Sequence, residues 1–249
     1  MSLAVSLEVA EPAGVRNGVD LFASRPRFRA VVSDMDGLLL DTERIAHRTF
    51  LEACQVMGLG DETAVFVQCI GLNNVRSRQV LRDGLKGKTD SDAFRDHWYR
   101  RYCEETTSKP IPLMPGAAEL LQFLDASGVP VAVATSSMTA QAEGKLGQTG
   151  VLKHVRGIVG GDQVANSKPH PEIYLKAAAK LGIEPEHCLA LEDSENGVRS
   201  AVAAGMQVIQ VPDFVEPSAE LLQLGHQVAP DLKRVLLWIQ GQTATTVSG

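Results

Sequence analysis

Apolar and polar positions along the chain fall into three regimes. Val31 and Val32 form a short apolar run that Gly37 breaks, the pattern of a buried strand followed by a turn. From about Arg44 to Ser108 the pattern is helical throughout: one amphipathic stretch begins at Ile45, Phe50 and Leu51, and others span Val75–Leu85 and Ala93–Cys103, with no alternating strand-like run. From Ile111 onward strands and helices alternate. The Pro-rich joint KPIPLMPG leads into a helix over Ala117–Ser127, a buried strand over Val129–Ala134 and a helix over Ala140–Leu146. A short strand over Gly157–Val159, a helix over Pro171–Leu181, a strand over Cys188–Leu191, a helix over Gly197–Ala204 and a strand over Gln207–Val211 follow.

Alternating strands and helices predict an α/β fold, a doubly wound parallel sheet with helices on both faces. The helical regime after the first strand is then an inserted small α-helical domain. The expected boundaries are 28–43 and 110–240 for the sheet core, 44–109 for the insert, 1–27 for a flexible N-terminal arm and 241–249 for a disordered tail.

Active sites of such sheets lie at the carboxyl ends of the strands. Asp34 and Asp36 follow the first strand. If the extended geometry persists through Met35, both carboxylates point the same way, and two anions that close need a cation or a shared proton. The pair reads as a metal site, an acid/base couple, or a solvated Asp-Gly turn. After VAVA, Thr135 and Ser136 offer hydroxyls and backbone N–H groups ahead of a helix, which suits phosphate binding or ordinary helix capping. Lys168, in NSKPHPEIY, is a point charge for a phosphate or a solvated lysine. Glu192 and Asp193 end the strand CLALED, where adjacent acids suit magnesium or a helix cap.

Composition narrows the classes. The chain has 249 residues, 44% hydrophobic and 22% charged, enough for a sizeable core in an ordinary globular protein. A net charge of -6 argues against nucleic acid as a partner. No apolar stretch is long enough to span a membrane, and Glu8 and Glu11 interrupt the stretch a signal peptide would need. Cys54, Cys69, Cys103 and Cys188 are scattered, which suggests neither a zinc cluster nor a disulfide framework, and a cytoplasmic location is expected.

Taken in order, DMDGLLLDTE, ATSS, SKPHPEIY and LEDSENGVRSA resemble the four motifs of the haloacid dehalogenase (HAD) superfamily, in its phosphatase and phosphomutase branch with a small helical cap. The resemblance covers about Arg29 to Val211. It implies Asp34 as the nucleophile, forming an aspartyl-phosphate, and Asp36 as the acid and base. It implies Mg2+ held by Asp34, Asp193 and the backbone carbonyl of Asp36, with Glu192 in its outer shell. Thr135 and Lys168 would grip the phosphoryl oxygens, assisted by backbone N–H groups near Gly37 and Ser136.

In such a family the cap selects the leaving group. The candidates are Glu43, Arg44 and His47, then Gly71, Asn73, Asn74 and Arg76. β-Phosphoglucomutases carry a histidine four residues after the motif threonine, where this chain has Ala46 with His47 next, and GLNNVRSRQVL lacks their corresponding stretch. The expected activity is therefore a phosphatase acting on a small phosphorylated metabolite, a sugar or polyol phosphate, in a monomer or weak homodimer. The alternatives are a sugar phosphomutase and a non-catalytic binding protein of the same fold.

Overall fold

The computed structural model describes residues 28–72 and 74–243. The expected arm at 1–27, most of the expected tail and Asn73 lie outside the described residues.

Six parallel strands form one sheet: β1 (Ala30–Ser33), β2 (Val131–Ala134), β3 (Gly157–Val159), β4 (Cys188–Glu192), β5 (Gln207–Gln210) and β6 (Gln227–Val228), in the order β3-β2-β1-β4-β5-β6. The central strand pairs on both sides, Val31 opposite Val131 in β2 and opposite Leu189 in β4. Strand order reverses between β1 and β4, which makes the crevice beyond their carboxyl ends the switch point where such sheets bind ligands.

Side-chain size alternates along these strands and sorts the two faces. Val31, Val131, Val133, Leu189, Leu191 and Ile209 project to one face. There they meet Leu120, Leu121 and Leu124 of α5 (Ala117–Ala126) and Leu232, Val235 and Ile239 of α10 (Leu232–Thr243). Ala30, Ala132, Ala134 and Ala190 project to the other face, and these small residues let α7 (Glu172–Leu181) and α8 (Glu195–Ala203) approach closely. The remaining sheet-layer helices are α6 (Thr139–Gln148) and the short α9 (Ala219–Leu222). Because α10 continues through Thr243, residues 241–243 are helical, which corrects the expected start of a disordered tail at 241.

Between β1 and α5 the chain forms the helical insert: α1 (Thr42–Val56), α2 (Thr63–Val67), α3 (Asn74–Gly84) and α4 (Ser91–Ser108). Asp90 caps α4 by accepting from the N–H groups of Asp92 and Ala93. The insert has its own apolar centre around Phe50, whose ring lies 5.5 Å from Phe66, 5.0 Å from Phe94 and 5.1 Å from Trp98. Tilted and edge-on rings at these separations add to the burial gain of each aromatic. Phe50→Ala should therefore lower stability by about 3–5 kcal/mol, read as a fall in the urea midpoint, while Ala at Val56, which is 64% exposed, should stay within about 0.5 kcal/mol of the parent.

Candidate active site

β1 ends at Ser33, and the Asp34 N–H continues the ladder by donating to Leu191 O at 2.9 Å. This fixes Asp34 beside the end of β4. Its buried carboxylate accepts from Lys168 Nζ at 2.5 Å, and the same ammonium donates to Glu192 Oε1, also at 2.5 Å. Lys168 comes from the loop before α7, whose peptide bond to Pro169 is cis. Glu192 is fully buried and fully engaged. Its Oε1 also accepts from the Tyr174 hydroxyl at 2.7 Å, and its Oε2 accepts from the N–H groups of Asp193 and Ser194 and from the Ser194 hydroxyl. A Cβ on Gly197 would fall 1.8 Å from the Glu192 carboxyl, so only glycine fits there. The reading of Glu192 as a direct metal ligand beside Asp193 is corrected, because its oxygens are committed to Lys168, Tyr174 and the turn into α8; an outer-shell place is compatible with these bonds.

Asp36 takes a different set of partners. The chain turns sharply after Met35, whose carbonyl accepts from the N–H groups of Leu39 and Leu40, while the Gly37 N–H donates to Leu40 O and is not free for a ligand. Asp36 Oδ1 accepts from Lys145 Nζ at 2.8 Å. Asp36 Oδ2 accepts from the Ser137 hydroxyl at 2.7 Å and the Thr135 hydroxyl at 3.2 Å. Lys145 also donates to the Tyr102 hydroxyl of α4 at 2.8 Å. Burial alone would raise the Asp36 carboxyl, but the Lys145 ammonium and the Lys145, Ser137 and Thr42 hydrogen bonds outweigh it and hold the carboxyl below its ordinary range.

Asp34, Asp36, Glu43, Thr135, Lys168 and Asp193 line one cavity of about 390 Å³, together with Ser136 and Gly71. It lies between the strand ends and the insert. Its four carboxyl groups, Asp34, Asp36, Glu43 and Asp193, outnumber its three cationic side chains, Lys145, Lys168 and Arg95. Burial raises Asp34, against the opposing pull of Lys168, and burial with the charges of Glu192 and Asp34 raises Asp193 well above its usual range. Burial, followed by the charges of Asp36 and Asp213, pushes Glu43 up to about 8. Gly37, at φ 83°, brings the turn so close that a Cβ would lie 2.7 Å from Asp193 Oδ2. Among the described residues no three His, Cys, Asp or Glu side chains gather into a complete metal cage. Two buried carboxyl groups, Asp34 and Asp193, raised by burial and by neighbouring acids, nevertheless suit a hard cation, which would favour their ionised forms. Magnesium is commonly held by one or two carboxylates and keeps several waters, so the donor set fits it.

The other cap candidates sit elsewhere. His47 does not line the cavity: it is wedged between Phe66 and Phe214 at ring separations of 4.9 and 5.4 Å, and its Nε2 hydrogen-bonds the Thr63 hydroxyl. That packing corrects its expected contact with substrate. Arg76 lines a separate groove with Asn166, Ser167 and His170, which likewise moves it out of the substrate cavity. Arg44 bonds Asp41 and Asp213 at 2.9 Å each. The sequence reading missed Lys145, Tyr99, Tyr102 and Trp98, all of which line the cavity. The signal for Lys145 was its place on the apolar stripe of α6, between Ala142 and Leu146, where a solvated lysine has no reason to be.

A six-stranded parallel sheet with a helical insert over its switch point and a carboxylate-rich cavity there defines a doubly wound α/β enzyme scaffold. The family model of haloacid dehalogenase-like hydrolases matches residues 31–211. The chain belongs to that family and is a hydrolase. It is 30% identical over 180 residues to the phosphorylated carbohydrates phosphatase of Thermotoga maritima, covering 72% of this chain and 83% of that protein. It is 30% identical over 235 residues to hexitol phosphatase B of Escherichia coli (strain K12), covering 84% and 99%. The crystal structure of a HAD family hydrolase from Deinococcus radiodurans R1, with bound phosphate and sodium, superposes with a TM-score of 0.70 at 29% identity, covering 84% of this chain and 93% of that one. No helix among the described residues is long and apolar enough to cross a membrane.

The raised Glu43 carboxyl has a measurable signature in the metal-free protein. Between its ordinary 4.5 and about 8 the folded state binds a proton that the unfolded state has released, so this group makes stability fall as pH rises through that window. Glu43→Gln should flatten that slope, seen in urea unfolding at pH 5 and pH 8.5 as a variant that gains on the parent at the higher pH.

Proposed function

We propose that this chain is a magnesium-dependent phosphatase that hydrolyses a small phosphorylated metabolite, of the sugar or polyol phosphate class, through an aspartyl-phosphate on Asp34. The observation that carries the reading is the buried Asp34 carboxylate, gripped by Lys168 at the switch point and open to a cavity that also holds a second acid with separate partners. In this reading Asp34 attacks phosphorus, and the leaving alcohol oxygen takes a proton from Asp36. Water then attacks the acyl phosphate, Asp36 receives its proton, and phosphate leaves. As found beside Lys145, Asp36 is in the form that accepts a proton. An arriving phosphate dianion adds negative charge next to it and favours the protonated form that the first step needs.

Magnesium, held by Asp34, Asp193 and the backbone carbonyl of Asp36, would supply positive charge where a carboxylate must approach a phosphate. Lys168 would add to its pairing with Asp34 and Glu192 the steadying of the phosphoryl oxygens, with the Thr135 hydroxyl and the backbone around Ser136 beside it. Two features support a hydroxylated leaving group. A cavity of about 390 Å³ suits a small metabolite. On the insert side its wall combines the Trp98 ring, fixed by its Nε1 donating to Ala46 O, with the Tyr99 and Tyr102 hydroxyls. The two phosphatases named above act on phosphorylated carbohydrates and on hexitol phosphates by their names, which points to the same substrate class.

The test is phosphate release from p-nitrophenyl phosphate and from a panel of sugar and polyol monophosphates. Release is expected with magnesium, lost on chelation and restored on readdition. Asp34→Asn should lower kcat by at least about 10³-fold; full activity in that variant would overturn the nucleophile assignment. Transfer of phosphate between sugar positions without net release would mark a phosphomutase instead.

A further inference from the structure

Two polar rungs join α6 of the sheet layer to α4 of the insert. Gln141 Nε2 donates to the Tyr99 hydroxyl at 2.8 Å, and Lys145 Nζ donates to the Tyr102 hydroxyl at 2.8 Å. The donors are one turn apart on α6 and the acceptors nearly one turn apart on α4, so the rungs stack along a single seam between the two helices. The outer rung ends at Gln141. The inner rung continues, because the same Lys145 ammonium donates to Asp36 Oδ1 at 2.8 Å. Lys145 is 7% exposed, and its ammonium lies 5.1 Å from the centre of the Tyr102 ring.

A lysine buried this far carries a desolvation cost that an apolar side chain of similar length would avoid, so packing of α6 does not explain it. Among the described residues the ion pair that links insert and sheet layer, the half-exposed Arg44 with the buried side chain of Asp213, includes neither Asp34 nor Asp36. Among the described residues Lys145 alone connects the acid after β1, the helix after β2 and a residue of the insert.

We propose that Lys145 is a positioning residue, whose ammonium ties the docked position of the helical insert, read through the Tyr102 hydroxyl, to the orientation of the Asp36 carboxylate. The inference rests on the phosphatase reading for what Asp36 then does. When α4 is docked, Tyr102 and Asp36 together fix the ammonium, and the carboxylate is held toward the leaving-group side of the cavity. When α4 lifts, the ammonium keeps only Asp36, and the carboxylate is free to turn with it. Lys145 exchanges no proton and forms no bond with substrate.

The test compares two leaving groups in the full chain with magnesium: p-nitrophenyl phosphate, whose phenolate departs without a proton, and the sugar or polyol phosphate that the parent hydrolyses fastest. Lys145→Met should lower kcat/KM for the alkyl phosphate by about 10²-fold, with kcat/KM for p-nitrophenyl phosphate reduced less than about tenfold, because kcat/KM reports steps only up to departure of the leaving group and leaves out the shared hydrolysis of the aspartyl-phosphate. Tyr102→Phe, which keeps the ring and the Lys145 contact with Asp36, should show the same selectivity with a smaller loss, and Lys145→Arg should recover most of the alkyl phosphate activity. Equal losses on both substrates, with no recovery in Lys145→Arg, would overturn the proposal. Amide hydrogen exchange gives a readout apart from turnover: Tyr102→Phe should speed exchange in α4 and α6, and unchanged exchange counts against the docking link. If the parent releases phosphate from no ester, the phosphatase reading fails on its own, and the exchange comparison still decides whether the seam holds the insert.

Discussion

Everything at the strand ends depends on one buried ammonium shared by two carboxylates. Lys168 lies between Asp34, which follows the central strand, and Glu192, which ends the neighbouring one. Three charges out of water would be unfavourable unless each had close partners, and here each does. Tyr174 supports Glu192 from α7, and the N–H groups of the following turn support it from α8. The cluster therefore locks together two strands, the loop carrying Lys168 and the starts of two helices. Glycine at position 197 follows from the same constraint, since the carboxyl occupies the space a side chain would need.

A second lysine divides the labour between the acids. Asp34 and Asp36 are two residues apart, yet each has its own ammonium, and their surroundings push them in opposite directions. Separate environments for neighbouring carboxyls are the usual way to give two acids two roles at one pH. The crowding and burial that raise Glu43 and Asp193 make the cavity a poor host for a phosphate dianion by itself and a good one for a divalent cation, which would take the place of their protons.

Much of the fold was legible because the sheet is buried on both sides and its strands read as uninterrupted apolar runs, VAVA and CLAL among them. β6 was not legible: it has two residues, one of them the exposed Val228. α10 was passed over although Leu232, Val235 and Ile239 carry a helical stripe. At the site, residues directly after strands were found by position alone, since a strand end fixes where they lie. Residues placed by packing between distant segments were not. His47 looked like a contact for substrate because nothing in its own helix announces that Phe214, far along the chain, closes over it. Glu192 looked like a metal ligand because its saturation depends on Tyr174, Lys168 and a glycine brought in from α8. Lys145 went unread for the opposite reason, being a charge hidden in an otherwise ordinary apolar stripe.

The position of the insert has a consequence for the order in which the molecule is built. β1 is the central strand, but its partners in β2 and β4 lie about a hundred and about a hundred and sixty residues further on, as the register of Val31 with Val131 and Leu189 shows. During synthesis from the N-terminus, β1 must therefore wait unpaired while the whole insert emerges. The aromatic centre around Phe50 is built from contacts within residues 46–98 apart from Phe214, so the insert can gather while the sheet has no second strand. Such long-range closure is slow. A helical unit that settles early keeps the intervening chain short in space, and so brings β2 back toward the strand that carries both aspartates.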